Sequence, residues 1–212
     1  MHRPTLMAVT LMATLALAAC GDSAPSSDSA STSGAPAATP AQSPEATTVI
    51  THSDPAPHNA DDTMFAQMMI VHHQGAVNMS RLAAERAQNP QVKKLAAQIE
   101  EAQGPEIERM TQWLQAWDEP VESGDHAHMH DDSMLMNGKT HEQVMTELGG
   151  LTGTAFDKAF LEAMIPHHEG AVTMSQDVLK TSQNPDVTAL AQTIIDSQKT
   201  EIAQMKSMLD SL

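Results

Sequence analysis

MIVHHQGAVNMS at residues 69–80 recurs as MIPHHEGAVTMS at residues 164–175, an offset of 95 residues. The same offset, without a gap, carries QNPQVKKLAAQI at 88–99 onto QNPDVTALAQTI at 183–194. It then carries Gln103, Glu106, Ile107, Met110 and Leu114 onto Gln198, Glu201, Ile202, Met205 and Leu209. Self-similarity of this length means one supersecondary unit used twice. Within each unit an Asn-Pro pair, Asn89-Pro90 or Asn184-Pro185, sets a good N-cap before a proline at the first helical position. One helix stops just before the pair and the next starts at it.

Each unit is therefore a helical hairpin, and the spacing predicts an all-α, four-helix bundle with helices at about 61–88, 90–117, 154–183 and 185–211. Thr154, with Asp157 three residues on, reads as a capping box for the third main helix. Gly104-Pro105 falls inside the second, where the missing N–H is expected to kink it and shift Glu106. Repeat one covers 61–117 and repeat two 154–212. The linker 118–153 is long enough to cross the bundle from end to end, with a short helix at 141–148.

The flanking sequence has a different character. Residues 1–20 carry Arg3 and an apolar run from Leu6 to Ala19 that is too short to span a bilayer, which reads as an export signal. The run closes on Leu17-Ala18-Ala19-Cys20, which resembles the lipobox of bacterial lipoproteins, so Cys20 is expected to be lipidated and to anchor the chain to a membrane. An ordinary signal peptide that happens to end in Cys is the other reading. Residues 21–60, rich in Ser, Ala, Pro and Thr, read as a disordered tether. With Cys20 its one cysteine, the chain forms neither an internal disulfide nor a thiolate metal cluster. A net charge of −16 and an aromatic content of 2% argue against nucleic acid as a partner.

Sixteen methionines are the compositional anomaly. Methionine fills irregular core gaps, and its thioether also selects Cu(I). On the first helix Met64, Met68, His72, Gly75 and Met79 share one stripe, with Met69 and His73 on its flank. On the second, Gln103 and Glu106 interrupt an apolar row that ends at Met110, and Gln198 and Glu201 do the same ahead of Met205. Counting seventeen residues either side of Asn89 sets His72 level with Glu106; the same count from Asn184 pairs His167 with Glu201.

Two histidines and a carboxylate per half thus converge near mid-bundle. His72, His73, His167 and His168 are the candidate metal ligands, with thioethers from Met79 and Met174. Glu106 and Glu201 stand as ligands or as hydrogen-bond supports behind the metal-bound imidazoles, together with Gln103, Gln198, Met68, Met110 and Met205. The competing explanation is that the histidines and the methionine stripe only pack the core. His126, His128, Met129 and His130 in the linker form a possible loop metal site. Imidazole accepts Cu(II) and thioether Cu(I), so copper suits this ligand set better than zinc or iron.

The doubled motif M-[IV]-x-H-H-x-G-A-x-x-M, followed by Q-x-x-E-I-x-x-M, resembles the bacterial domain-of-unknown-function family three hundred and five. The resemblance covers about residues 61–212. It implies a ferritin-like, secreted bundle with a role in handling or tolerating copper, and metal association for His72, His73, Met79, His167, His168 and Met174. Met64 and Met68 have Ala159 and Ala163 as counterparts, so the halves are expected to bind unequally. The expected function is copper buffering, trafficking or tolerance in the cell envelope, on the periplasmic or extracytoplasmic face, with a copper-transfer protein as a possible partner. Enzymatic activity is not expected, and a serine-elbow or cysteine nucleophile has no support in the folded part. Two other readings stand beside it. A ferritin-like di-metal oxidoreductase would need more carboxylates, since Glu106 and Glu201 lack the Glu-x-x-His continuation. A structural or interaction module would use the histidines for packing alone.

Overall fold

The computed structural model describes residues 56–122 and 135–212. Cys20, the export signal, most of the tether and the linker cluster of His126, His128, Met129 and His130 lie outside the described residues. The described residues form five helices: α1 (Ala60–Arg86), α2 (Pro90–Ala116), α3 (His141–Gly149), α4 (Gly153–Thr181) and α5 (Pro185–Ser211). None of them is long and apolar enough to cross a membrane. The fold is all-α, and the two Asn-Pro pairs start α2 and α5 as expected. The Asn89 side chain accepts from Gln91 N–H at 2.8 Å, and Asn184 accepts from Asp186 N–H at 2.9 Å.

α1 packs along α2, α4 along α5, and the two hairpins meet through α1 and α4. Two apolar clusters hold them together. One joins Ala76 and Met79 of α1, Leu95 and Ile99 of α2, Phe156, Phe160 and Met164 of α4, and Met205 of α5. The other joins Phe65, Met69 and Ile70 of α1, Met110 and Leu114 of α2, Ala171 and Val178 of α4, and Leu190 and Ile194 of α5. The N-terminal half of α1 thus meets the C-terminal half of α4, so the central pair is antiparallel.

The hairpin turns are tied to the opposite hairpin by one aspartate each. Asp157 accepts from Gln88 N–H and Asn89 N–H, both at 2.9 Å. Its counterpart Asp62 accepts from Ser182 Oγ–H at 2.5 Å and Gln183 N–H at 3.3 Å, and also from Asn59 N–H in the capping box of α1. This corrects the capping box expected of Thr154 and Asp157. α4 begins at Gly153, its N-cap Thr152 makes no side-chain bond, and Asp157 serves the other repeat. The end of the expected tether is also fixed. Asn184 Nδ2 donates to the carbonyls of Ala56 and Pro57, and His58 stacks on Trp117 at 4.4 Å.

α2 runs through Pro105 without interruption, because Pro105 is exposed and the carbonyl it frees belongs to exposed Glu101. Pro166 does the same inside α4, at a half-buried position. There the freed carbonyl, four residues back at Glu162, accepts instead from Asn137 Nδ2 at 3.1 Å. Asn137 stands in a tight turn with Gly138, both at positive φ (54° and 76°), closed by paired backbone bonds between Met136 and Lys139. Buried Met136, Val144 and Leu148 then seat α3 on the first apolar cluster, against α1 and α4.

Candidate metal centre

Between the two apolar clusters lies a polar layer. His72 and His73 fall between Ile70 and Ala76, and Gln103 and Glu106 between Ile99 and Met110. His167 and His168 fall between Met164 and Ala171, and Gln198 and Glu201 between Ile194 and Met205. All four histidines and both glutamines are buried. The helical period allows this because a central helix has neighbours on two sides, so consecutive residues find different partners.

His73 Nε2 bonds to Glu106 Oε2 at 2.7 Å, and His168 Nε2 to Glu201 Oε2 at 2.6 Å. An ionised carboxylate only accepts, so in the neutral ring Nε2–H donates and Nδ1 carries the lone pair. Nδ1 of both residues is buried and has no hydrogen-bond partner among the described residues. The pairing is therefore one residue away from the expected one: Glu106 and Glu201 meet His73 and His168, not His72 and His167. His73, expected on the flank, is completely buried. Nor does Pro105 shift Glu106, which bonds as closely as its proline-free counterpart.

His72 and His167 face each other across the hairpins, ring centroids 3.7 Å apart and planes inclined at 40°. Because the two are repeat counterparts, the pseudo-twofold relating the hairpins passes between these rings. Both nitrogens of His72 and Nδ1 of His167 are buried without a partner among the described residues. Burial first, then the neighbouring His73 and His168, holds the His72 imidazole well below its ordinary 6.5. Burial, then His72 and His168, does the same to His167. Both rings are neutral in the fold and keep a lone pair. Oε1 and Nε2 of Gln103 and Oε1 of Gln198 are buried and unpartnered as well.

The methionines divide. Met79 is fully buried in the first apolar cluster, where Met136, Val144 and Leu148 of the linker segment and α3 join it. Met174 is partly buried and lines an open groove of about 390 Å³ with Met68 and Met64. The Met64 end of the expected core stripe is exposed, and Met68 is half-buried. Met110 and Met205 are fully buried in the apolar clusters on either side of the polar layer.

One residue at the layer was not expected there. A Cβ added to Gly75 would stand 3.1 Å from His167 Nε2 and 3.3 Å from His141 Nδ1, at the start of α3. The signal was present: His141, Val144 and Leu148 have the i, i+3, i+7 spacing of one helical face.

Among the described residues no three His, Cys, Asp or Glu side chains are already arranged to hold a metal ion. The donor chemistry nonetheless fits a soft or borderline one. Buried imidazole nitrogens without partners carry a desolvation cost that metal bonds would relieve, and the two carboxylates orient rings as partners of metal-bound histidine do.

Fold and layer together define a class: a doubled helical hairpin whose repeats meet at a buried histidine cluster. Residues 62–209 match the family described as Domain of unknown function (DUF305), and the chain belongs to that family. Its fold is similar to a putative secreted DUF305 protein from Streptomyces coelicolor, at 32% identity and a TM-score of 0.64, covering 71% of this chain and 93% of that one. It is similar to a DUF305 fragment from Deinococcus radiodurans, at 30% identity and a TM-score of 0.64, covering 74% and 99%. CopM in its Cu(I)-bound form is 33% identical with a TM-score of 0.59, covering 71% and 96%. CopM is also known in Cu(II)-bound and Ag-bound forms. An uncharacterized protein of Acanthamoeba polyphaga mimivirus is 46% identical over 54 residues, 26% of this chain; the match spans about a third (36%) of that protein's length.

Proposed function

We propose that this protein binds copper in its central histidine layer and buffers or carries the metal in the cell envelope. The observation that carries the reading is the set of buried, partnerless imidazole nitrogens on His72, His73, His167 and His168. Its likeness to CopM, which binds Cu(I), Cu(II) and Ag, supports the choice of metal. His73 and His168 offer Nδ1, held in place by Glu106 and Glu201. His72 and His167 offer their lone pairs once their rings part. Met79 and Met174 are the thioether candidates, and Met174 in the groove with Met64 and Met68 is the more accessible to an incoming ion. A di-metal oxidase is a poorer fit, because the layer's two carboxylates are each already bonded to a histidine.

The likeness to a putative secreted relative supports an extracytoplasmic site of action, and the lipobox at Cys20 supports attachment to a membrane. A partner that delivers or accepts copper belongs to the same reading.

The test is a competitive Cu(I) titration of residues 21–212, with Cu(II) and Zn(II) in parallel. Tight Cu(I) binding is expected, and its loss in the His72→Ala, His73→Ala, His167→Ala, His168→Ala quadruple variant. Unchanged affinity in that variant, with no metal-dependent rise in Tm, would leave the packing-module reading in its place.

A further inference from the structure

Resting on the copper reading, we propose that His141 is a fifth imidazole of the metal site, delivered by α3 to the side of His167 where both rings crowd Gly75. Two ring nitrogens from different elements converge there on the α1 backbone. The point where a Cβ of residue 75 would stand lies 3.1 Å from His167 Nε2 and 3.3 Å from His141 Nδ1. Because residue 75 is glycine, both rings can come this close to the α1 backbone, where a side chain would crowd them. His141 Nδ1 is buried and has no hydrogen-bond partner among the described residues, although the residue is only half-buried. A histidine at the first turn of a surface helix ordinarily turns its polar atoms to water; this one turns Nδ1 inward.

The placement of α3 is built into the chain. Thr140 and Gln143 form a capping box that starts the helix at His141. Val144 and Leu148, on the same face as His141, are buried in the apolar cluster beside the layer. The turn before α3 is held to α4 through Asn137 and the Glu162 carbonyl that Pro166 frees, one turn before His167. His141 comes from a segment outside the 95-residue repeat, so the ligand set on this side of the pseudo-twofold is not supplied by the repeats alone.

The experiment compares wild type, His141→Ala and Gly75→Ala, all with His126, His128 and His130 changed to Asn so that the linker contributes no imidazole. Circular dichroism verifies folding; alanine has a high helix propensity at both positions, and at position 75 only the two rings have to give. Cu(I) affinity is measured by competition and the ligands of bound Cu(II) by pulsed electron paramagnetic resonance. His141→Ala is expected to weaken Cu(I) binding by about tenfold or more and to change the imidazole nitrogen pattern of the Cu(II) signal. Gly75→Ala, whose Cβ would push the His167 and His141 rings apart while leaving every histidine in the chain, is expected to weaken binding as well. Wild-type affinity and an unaltered Cu(II) pattern in His141→Ala overturn the proposal while the four-histidine site stands. Absence of Cu(I) binding in the parent overturns the copper reading itself, and this inference with it.

Discussion

At His73 and His168 the carboxylate partner decides which ring nitrogen is available. Glu106 and Glu201 hold Nε2–H, so Nδ1, buried and without a partner among the described residues, is the atom left to bind a metal. Glu106→Gln and Glu201→Gln keep the volume and lose the charge, and each is expected to lower copper affinity by roughly 10–100-fold. Isothermal titration of each variant checks this; parent-like affinity in both would show that the carboxylates only fill space. At His72 and His167 the chemistry is proton exclusion. With both rings held well below 6.5 by burial, the fold takes up fewer protons than the unfolded chain at lower pH. Their contribution to stability is therefore complete above about 6.5. It declines as pH falls from there toward the folded-state values, by up to ~1.4 kcal/mol per pH unit for each ring. Urea midpoints at about pH 7.5 and about pH 5.5 should fall accordingly, and a His72→Gln, His167→Gln double variant should flatten the difference. An equal drop in parent and double variant would assign the pH dependence to other groups.

At the scale of elements, hairpins and loops were legible to different degrees. The 95-residue offset and the two Asn-Pro pairs located four helices to within a few residues, because capping chemistry and proline act locally. The polar layer was legible from the same repeat: the histidine pairs recur at matching positions, and Gln103, Glu106 and their counterparts interrupt apolar rows. What local pattern could not supply was the partner. His73 rather than His72 meets Glu106 because the rotation of α1 about its axis depends on α2 and α4 together. The side chain of Asp157 reaches across to the other hairpin rather than down its own helix, which no spacing within 154–157 announces. His141 escaped because its helix lies outside the repeat that drew attention to the others. The Asp157 contact is testable at this scale. Asp157→Ala removes the charged acceptor of the Gln88 and Asn89 amides at a partly buried turn, so a loss of about 2–4 kcal/mol is expected. Thermal unfolding should show a Tm lower by roughly 5–15 °C for a domain of this size. A change under ~2 °C would mean that the turn is held by its apolar neighbours instead.

For the whole molecule, the repeat does more than double a motif. It sets the same face of α1 and α4 against itself, so each hairpin's His72 or His167 becomes the nearest neighbour of the other's. Neither hairpin alone can form that contact, and the apolar clusters above and below exclude water from it by drawing on both repeats. The arrangement points to one shared site on the pseudo-twofold rather than one independent site per half. A double-mutant cycle on His72→Ala and His167→Ala separates the two cases. A shared site predicts that each single variant weakens Cu(I) binding at the one core site, and that the double variant is little worse than either single. Coupling of about 1–3 kcal/mol is then expected, since residues in contact are not additive. Independent sites predict the opposite: each single variant removes one ion and leaves the other at parent affinity, and the two effects sum. The unequal surroundings, α3 beside Gly75 and the Met64, Met68 and Met174 groove along α1 and α4, would then act on one ion rather than tuning two.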